Sequence, residues 1–124
     1  MAASHPCPCC GHKTMQGTMD YDLCPVCFWE DDPHQLRWPN SPDGANGKSL
    51  IESQQTYSRL GAMDEVVLRK VRLARPSEPI EQGWRPIDLS LDSVEPTGVK
   101  LGAAADFSSG PYWWRSTFWR RTSQ

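Results

Sequence analysis

The chain has no cysteine after Cys27, no run of 18 apolar residues and no excess of positive charge. Each absence excludes something. Without a long apolar run, no membrane-spanning helix is expected. With a net charge of −2, the chain as a whole has no generic electrostatic pull toward nucleic acid, although local patches remain. The start, MAASHPCPCC, has neither a positive region nor an apolar stretch, so no secretory signal is read there and a cytoplasmic protein is expected. Hydrophobic residues are also scarce, at 38%, and eleven prolines favour turns and extended connections over regular structure. A core this small gains from a staple such as a metal ion.

What is present concentrates in the first 27 residues. Five cysteines lie there, an odd number that counts against a closed set of disulfides, as does a compartment that keeps thiols reduced. Four form two pairs at metal-ligand spacing, Cys7 with Cys10 and Cys24 with Cys27. Two cysteines three positions apart on a tight turn reach one ion from the same side, and amides in the turn stabilise their thiolates. Gly11 permits the positive φ that closes the first turn, and Phe28 stands at the matching position of the second. Thirteen residues separate the pairs, enough for a short hairpin with strands drawn from Thr14, Met15, Thr18, Met19 and Tyr21 and a turn near Gln16 and Gly17. The spacing predicts one Zn²⁺ held by Cys7, Cys10, Cys24 and Cys27. Iron uses similar knuckles and is the competing occupant.

Cys9 sits between two ligands and reads either as a small buried hydrophobe or as an alternate ligand or reactive thiol. His5, His12 and His34 lie near the knuckles, where a solvated or supporting role is expected over ligation. Trp29, Glu30, Asp31 and Asp32 follow the second pair directly. They form either a recognition edge or, in the plainer reading, aromatics packed over the site with solvated or turn-capping acids.

Residues 33–48 read as loop. Ser49 and Glu52 form a capping box that opens a helix, with Leu50, Tyr57 and Leu60 on roughly one face and Gly61 placed to end it. Residues 64–73 fit a helix or a strand, and carry the basic group Arg69, Lys70 and Arg72. Residues 76–111 read as linker. Residues 112–121 mix Trp and Arg as stacking or membrane-interface segments do, or as a segment docked on the cysteine unit does.

In order and spacing, Cys7-Pro8-Cys9-Cys10-Gly11, then Cys24-Pro25-Val26-Cys27-Phe28-Trp29-Glu30-Asp31-Asp32, then Asn46-Gly47-Lys48-Ser49-Leu50 opening a helix, resemble the bacterial cysteine-rich CPCC family. The resemblance covers about residues 5–75 and implies a small zinc-ribbon-like domain without implying a substrate. The residues beyond it, including the Trp-rich end, have no counterpart in the pattern.

The expected fold is therefore small α+β: a zinc-ribbon-like β-hairpin with two cysteine knuckles, one capped helix and an extended C-terminal tail. A cysteine-rich zinc-binding domain spans residues 5–75, and residues 76–124 form linker and tail. Four thiolates would close the metal site, and no nucleophile–base pair or phosphate loop stands out, so an enzyme is not expected. The expected function is a non-catalytic interaction module with a protein partner, using Trp29, the acidic run and the tail. The alternatives are a nucleic-acid-binding ribbon using residues 69–75 with Arg120 and Arg121, and a thiol- or metal-responsive switch through Cys9.

Overall fold

Short segments of backbone pairing, held by side-chain bonds between them, build this molecule. In the computed structural model the structure describes residues 5–120. Its elements are strands β1 (His5–Pro6) and β2 (Lys13–Met15), helices α1 (Pro33–Arg37), α2 (Leu50–Leu60) and α3 (Ala104–Ser109), and a 3-10 helix over Glu65–Lys70. The chain is small α+β, with one two-stranded antiparallel sheet.

The hairpin is not placed where the spacing predicts. β1 pairs with β2, so the first Cys-Pro-Cys-Cys turn is itself the hairpin loop. Thr14 and Met15 lie in a strand, whereas Thr18, Met19 and Tyr21 do not. Carboxylates replace a second strand as acceptors there. Asp22 accepts from the amides of Gln16 (2.8 Å) and Gly17 (3.2 Å), and Asp31 accepts from that of Met19 (2.8 Å). Met19 and Tyr21 adopt left-handed φ, which is incompatible with an extended ladder.

α2 follows from its ends. The Ser49 hydroxyl accepts from the Glu52 amide and donates to its carboxylate, and Gly61 closes the helix at φ 79°. Its buried face is Leu50, Ser53, Gln54 and Thr56; Leu60, expected inside, is exposed. That polar inner face has a purpose. Gln54 donates to the Pro8 carbonyl (2.9 Å) and accepts from the Ile87 amide (3.0 Å), joining the first knuckle to the C-terminal part of the chain.

Residues 33–48 are not wholly loop. Asp32 caps α1 by accepting from the His34 amide, with Pro33 in the first turn. Gln35, fully buried, then ties the following segment down: it donates to the carbonyls of Ser41 and Lys48 and accepts from Asn46.

The C-terminal stretch is not strung out from the rest. Phe107, Tyr112 and Trp113 are buried in the same cluster as the cysteines, Met15, Val26, Trp29, Leu36, Leu50 and Met63. Arg37 and Glu95 form a buried ion pair at 2.6 Å, and the same guanidinium faces the rings of Phe107 and Trp119. A pair of this kind holds register where both partners are desolvated together. Arg121 lies outside the described residues.

Candidate metal centre

The two cysteine pairs sit on matching turns. In the first, the Cys7 amide donates to the His12 carbonyl and the Gly11 amide to the Cys7 carbonyl; in the second, Cys24 bonds Trp29 and Phe28 bonds Cys24 in the same way. Both turns end on a left-handed residue, Gly11 at φ 82° and Phe28 at φ 73°. The repeated backbone brings each pair of side chains to one side of its turn.

The turns face each other across a shared centre. The Sγ atoms of Cys7, Cys10, Cys24 and Cys27 all lie within 4.8 Å of one another. Cys7 and Cys27 approach to 3.5 Å, and Cys10 and Cys24 to 3.8 Å. All four residues are buried. Two donors support the sulfurs: the Cys9 amide to Cys7 (3.4 Å) and the Thr14 hydroxyl to Cys24 (3.1 Å). Burial pushes the thiols of Cys7 and Cys27 up, and the neighbouring Cys24 sulfur pushes Cys10 up. Cys24 is drawn down instead by hydrogen bonds from Cys10, Cys27 and Cys7, with Thr14 adding to them. On their own, four sulfurs this close cannot all carry charge in a dry interior; a cation among them is what makes four thiolates compatible.

Cys9 is not turned away: its side chain lies within hydrogen-bonding reach of Cys27 and adds to the rise of that thiol. It is buried and outside the four-sulfur group. His12 Nδ1 pairs with the Glu78 carbonyl and His34 Nε2 with the Ser41 hydroxyl. The residues after the second knuckle do not form an exposed edge. Trp29 and Asp31 are fully buried, Asp32 is buried as the α1 cap, and Glu30 is half-buried with its amide on Asn46. They pack because the acids accept backbone hydrogen bonds from Met19 and Ala45 in loops and from His34 in the first turn of α1. Of the basic group, Arg69 and Lys70 are exposed, with Lys70 over the Phe28 ring at 5.5 Å, and Arg72 forms a two-bond pair with Glu78.

Some of the supporting residues carry no local signal. Thr14, a donor to the Cys24 sulfur, stands in β2 beside Met15, and both are buried, so no alternation of polar and apolar residues marks it out. Tyr112 and Trp113, buried beside the cysteines, come from nearly 90 residues downstream of Cys24. No spacing rule joins them.

Fold and centre together define a small α+β domain organised around a four-cysteine cluster able to hold a metal ion. The chain matches the model of the Cysteine-rich CPCC family over residues 5–78, more than half its length, and belongs to that family. No curated protein matches it. None of its described helices is long and apolar enough to cross a membrane.

Proposed function

We propose that the chain is a structural zinc domain: one Zn²⁺ held by Cys7, Cys10, Cys24 and Cys27 fixes a rigid, non-catalytic platform that meets a protein partner. The observation that carries this is the four-sulfur geometry. Zn–S bonds of about 2.3 Å in a tetrahedron need sulfurs about 3.8 Å apart. The Cys7–Cys27 and Cys10–Cys24 approaches, 3.5 Å and 3.8 Å, lie just below and at that edge, and all four sulfurs lie within 4.8 Å of one another. The ion would supply charge compensation for the thiolates and folding energy to a chain with little core.

Four protein ligands leave no position for water or substrate, and burial of all four sulfurs keeps substrates away, which supports a non-catalytic role. A protein partner is favoured over nucleic acid because Arg37, Arg72, Arg85 and Arg115 are each engaged by a carboxylate and bring little uncompensated charge to a phosphate backbone. A compartment that keeps thiols reduced suits the five unbridged cysteines.

The test is metal content per chain, on protein purified without added metal. One zinc per chain is expected, lost in Cys10→Ser and kept in Cys9→Ser. Absence of metal, or its loss only with Cys9→Ser, overturns the reading.

A further inference from the structure

The 3-10 helix over Glu65–Lys70 is tied by backbone to the second knuckle on either side. Before it, the Met63 amide donates to the Cys27 carbonyl at 2.8 Å; after it, the Arg72 amide donates to the Pro25 carbonyl at 3.1 Å. Between these bonds the helix buries none of its residues. A cleft of about 170 Å³ opens there, walled by Leu23, Phe28, Met63 and Val67, with Glu30 as the charged group among them. Three residues make one turn of a 3-10 helix, so Val67 and Lys70 share a face. Lys70 reaches the same ring, its ammonium 5.5 Å from the centre of Phe28. Asn46 fixes the backbone of Glu30, accepting from its amide at 2.8 Å and donating to its carbonyl at 2.9 Å.

The side chains around this cleft are unspent in the fold. Phe28 holds a left-handed φ of 73° where the first knuckle uses glycine, yet its ring is only half-buried. A strained residue whose ring stays half outside the core points to a use for the ring's open face. Leu23, at 46% exposure, presents a second apolar surface beside it. Glu30 and Lys70 take part in no ion pair among the described residues, whereas Arg37, Arg72, Arg85 and Arg115 each do.

From this we propose that the cleft binds a protein partner through one apolar side chain, flanked in the partner by an acid that meets Lys70 and a base that meets Glu30. Cavities of about 150 Å³ hold a benzene-sized group, so a leucine, methionine or phenylalanine side chain fits. An apolar anchor in a pocket supplies most of the affinity, and the two charges supply orientation and selectivity. A uniformly acidic or uniformly basic segment meets repulsion from one of them. The proposal rests on the protein-binding reading above and names the surface it uses and the chemistry that surface selects.

The experiment pans a phage-displayed library of random linear peptides against the full chain, with its metal content measured. Enriched peptides are expected to carry Leu, Met or Phe with an acid and a base close by. One such peptide, made with a fluorophore, is then titrated and followed by anisotropy. Phe28→Gly relieves the left-handed strain as it removes the ring, and should weaken binding about ten-fold or more. Lys70→Glu, on an exposed residue, should weaken it about five-fold. A peptide whose acid is replaced by lysine should prefer Lys70→Glu to the unaltered chain, an exchange that reads the contact itself and does not depend on the Phe28 variant folding. Peptides that bind both variants as they bind the unaltered chain sit on another surface; the protein-binding reading then stands and this site falls. Enriched peptides without the apolar residue and its charges overturn the proposal too. No enrichment against a chain that holds its zinc overturns it while leaving the metal reading intact; a chain without metal overturns that reading instead.

Discussion

The two knuckles share a backbone and differ in what covers it. Each closes with the same two hydrogen bonds and ends on a left-handed residue. In the first that residue is Gly11, and a ring from far along the chain, Trp84, occupies the space its missing side chain leaves. In the second it is Phe28, which brings its own half-buried ring, with Lys70 above it. Both turns close on a left-handed residue, and the residue placed there decides whether the cover comes from elsewhere or from the knuckle itself. Glycine makes a receptor of the first knuckle; phenylalanine makes the second self-contained, at the cost of a strained backbone.

The largest test asks whether the knuckles depend on each other. Cys10→Ser and Cys27→Ser remove one sulfur from each. With one ion shared by both, either change should abolish metal binding and destabilise the fold by more than about 4 kcal/mol. Metal analysis and thermal unfolding of the two variants should agree; a variant that keeps its ion and its transition would show that the knuckles act separately.

The left-handed positions provide the next. Gly11→Ala adds a left-handed alanine and drives its Cβ into Trp84, so a loss of about 3 kcal/mol is expected from strain and overpacking together. Phe28→Gly relieves a left-handed backbone worth about 1–2 kcal/mol while forfeiting a half-buried ring, and should come out near neutral. Urea unfolding midpoints measure both. Equal losses would mean that the covers of the two knuckles are equivalent after all.

The flanks differ as well, and pH separates them. Beside the first knuckle, Glu78 pairs with Arg72, whose guanidinium holds its carboxyl down at about 2. Beside the second, burial raises Asp31 from 3.8 to about 6, with the Met19 amide opposing and Asp22, Asp32 and Asp20 adding to the rise. A carboxyl with a raised folded pKa binds its proton more tightly folded than unfolded. Stability therefore falls as pH rises from about 4 to 6 and is flat above, by about 3 kcal/mol for a shift of this size. Asp31→Asn keeps an acceptor for Met19 and removes the charge. Relative to the unaltered chain it should gain up to about 3 kcal/mol at pH 7, with the gain vanishing near pH 4. A difference curve that is flat across this window would sink the assignment.

How far the sequence discloses all this depends on distance along the chain. The cysteine pairs, the Ser49 cap and the Gly61 stop are local patterns, in which residues within four positions determine one another's backbone, and they are legible. α1 had a readable signal too, Asp32 before Pro33, submerged in a stretch rich in turn residues. The hairpin lies elsewhere than expected because the spacing between the pairs and the strand-favouring Thr14, Met15, Thr18, Met19 and Tyr21 suggest a ladder there, while the acceptors that replace it, Asp22 and Asp31, stand at the end of that stretch or outside it. The burial of Tyr112, Trp113 and Glu95 was not legible. Their partners lie tens of residues away, and an isolated Trp-rich segment reads the same whether docked or exposed.

The smallest effect expected joins the knuckles directly. Thr14 stands on β2, next to the first knuckle, and donates its hydroxyl to Cys24 in the second at 3.1 Å. A hydrogen bond to a thiolate lowers the charge the sulfur gives to its ion and favours the deprotonated ligand. Thr14→Val preserves shape and removes that bond, so about 1 kcal/mol should be lost from metal affinity or stability. Thr14→Ser should restore most of it. In the cobalt-substituted protein, the sulfur-to-metal absorption band should shift with Thr14→Val and return with Thr14→Ser, a response that a merely space-filling threonine would not produce. If the band is unmoved while stability falls, Thr14 only packs, and the knuckles are joined through the ion alone.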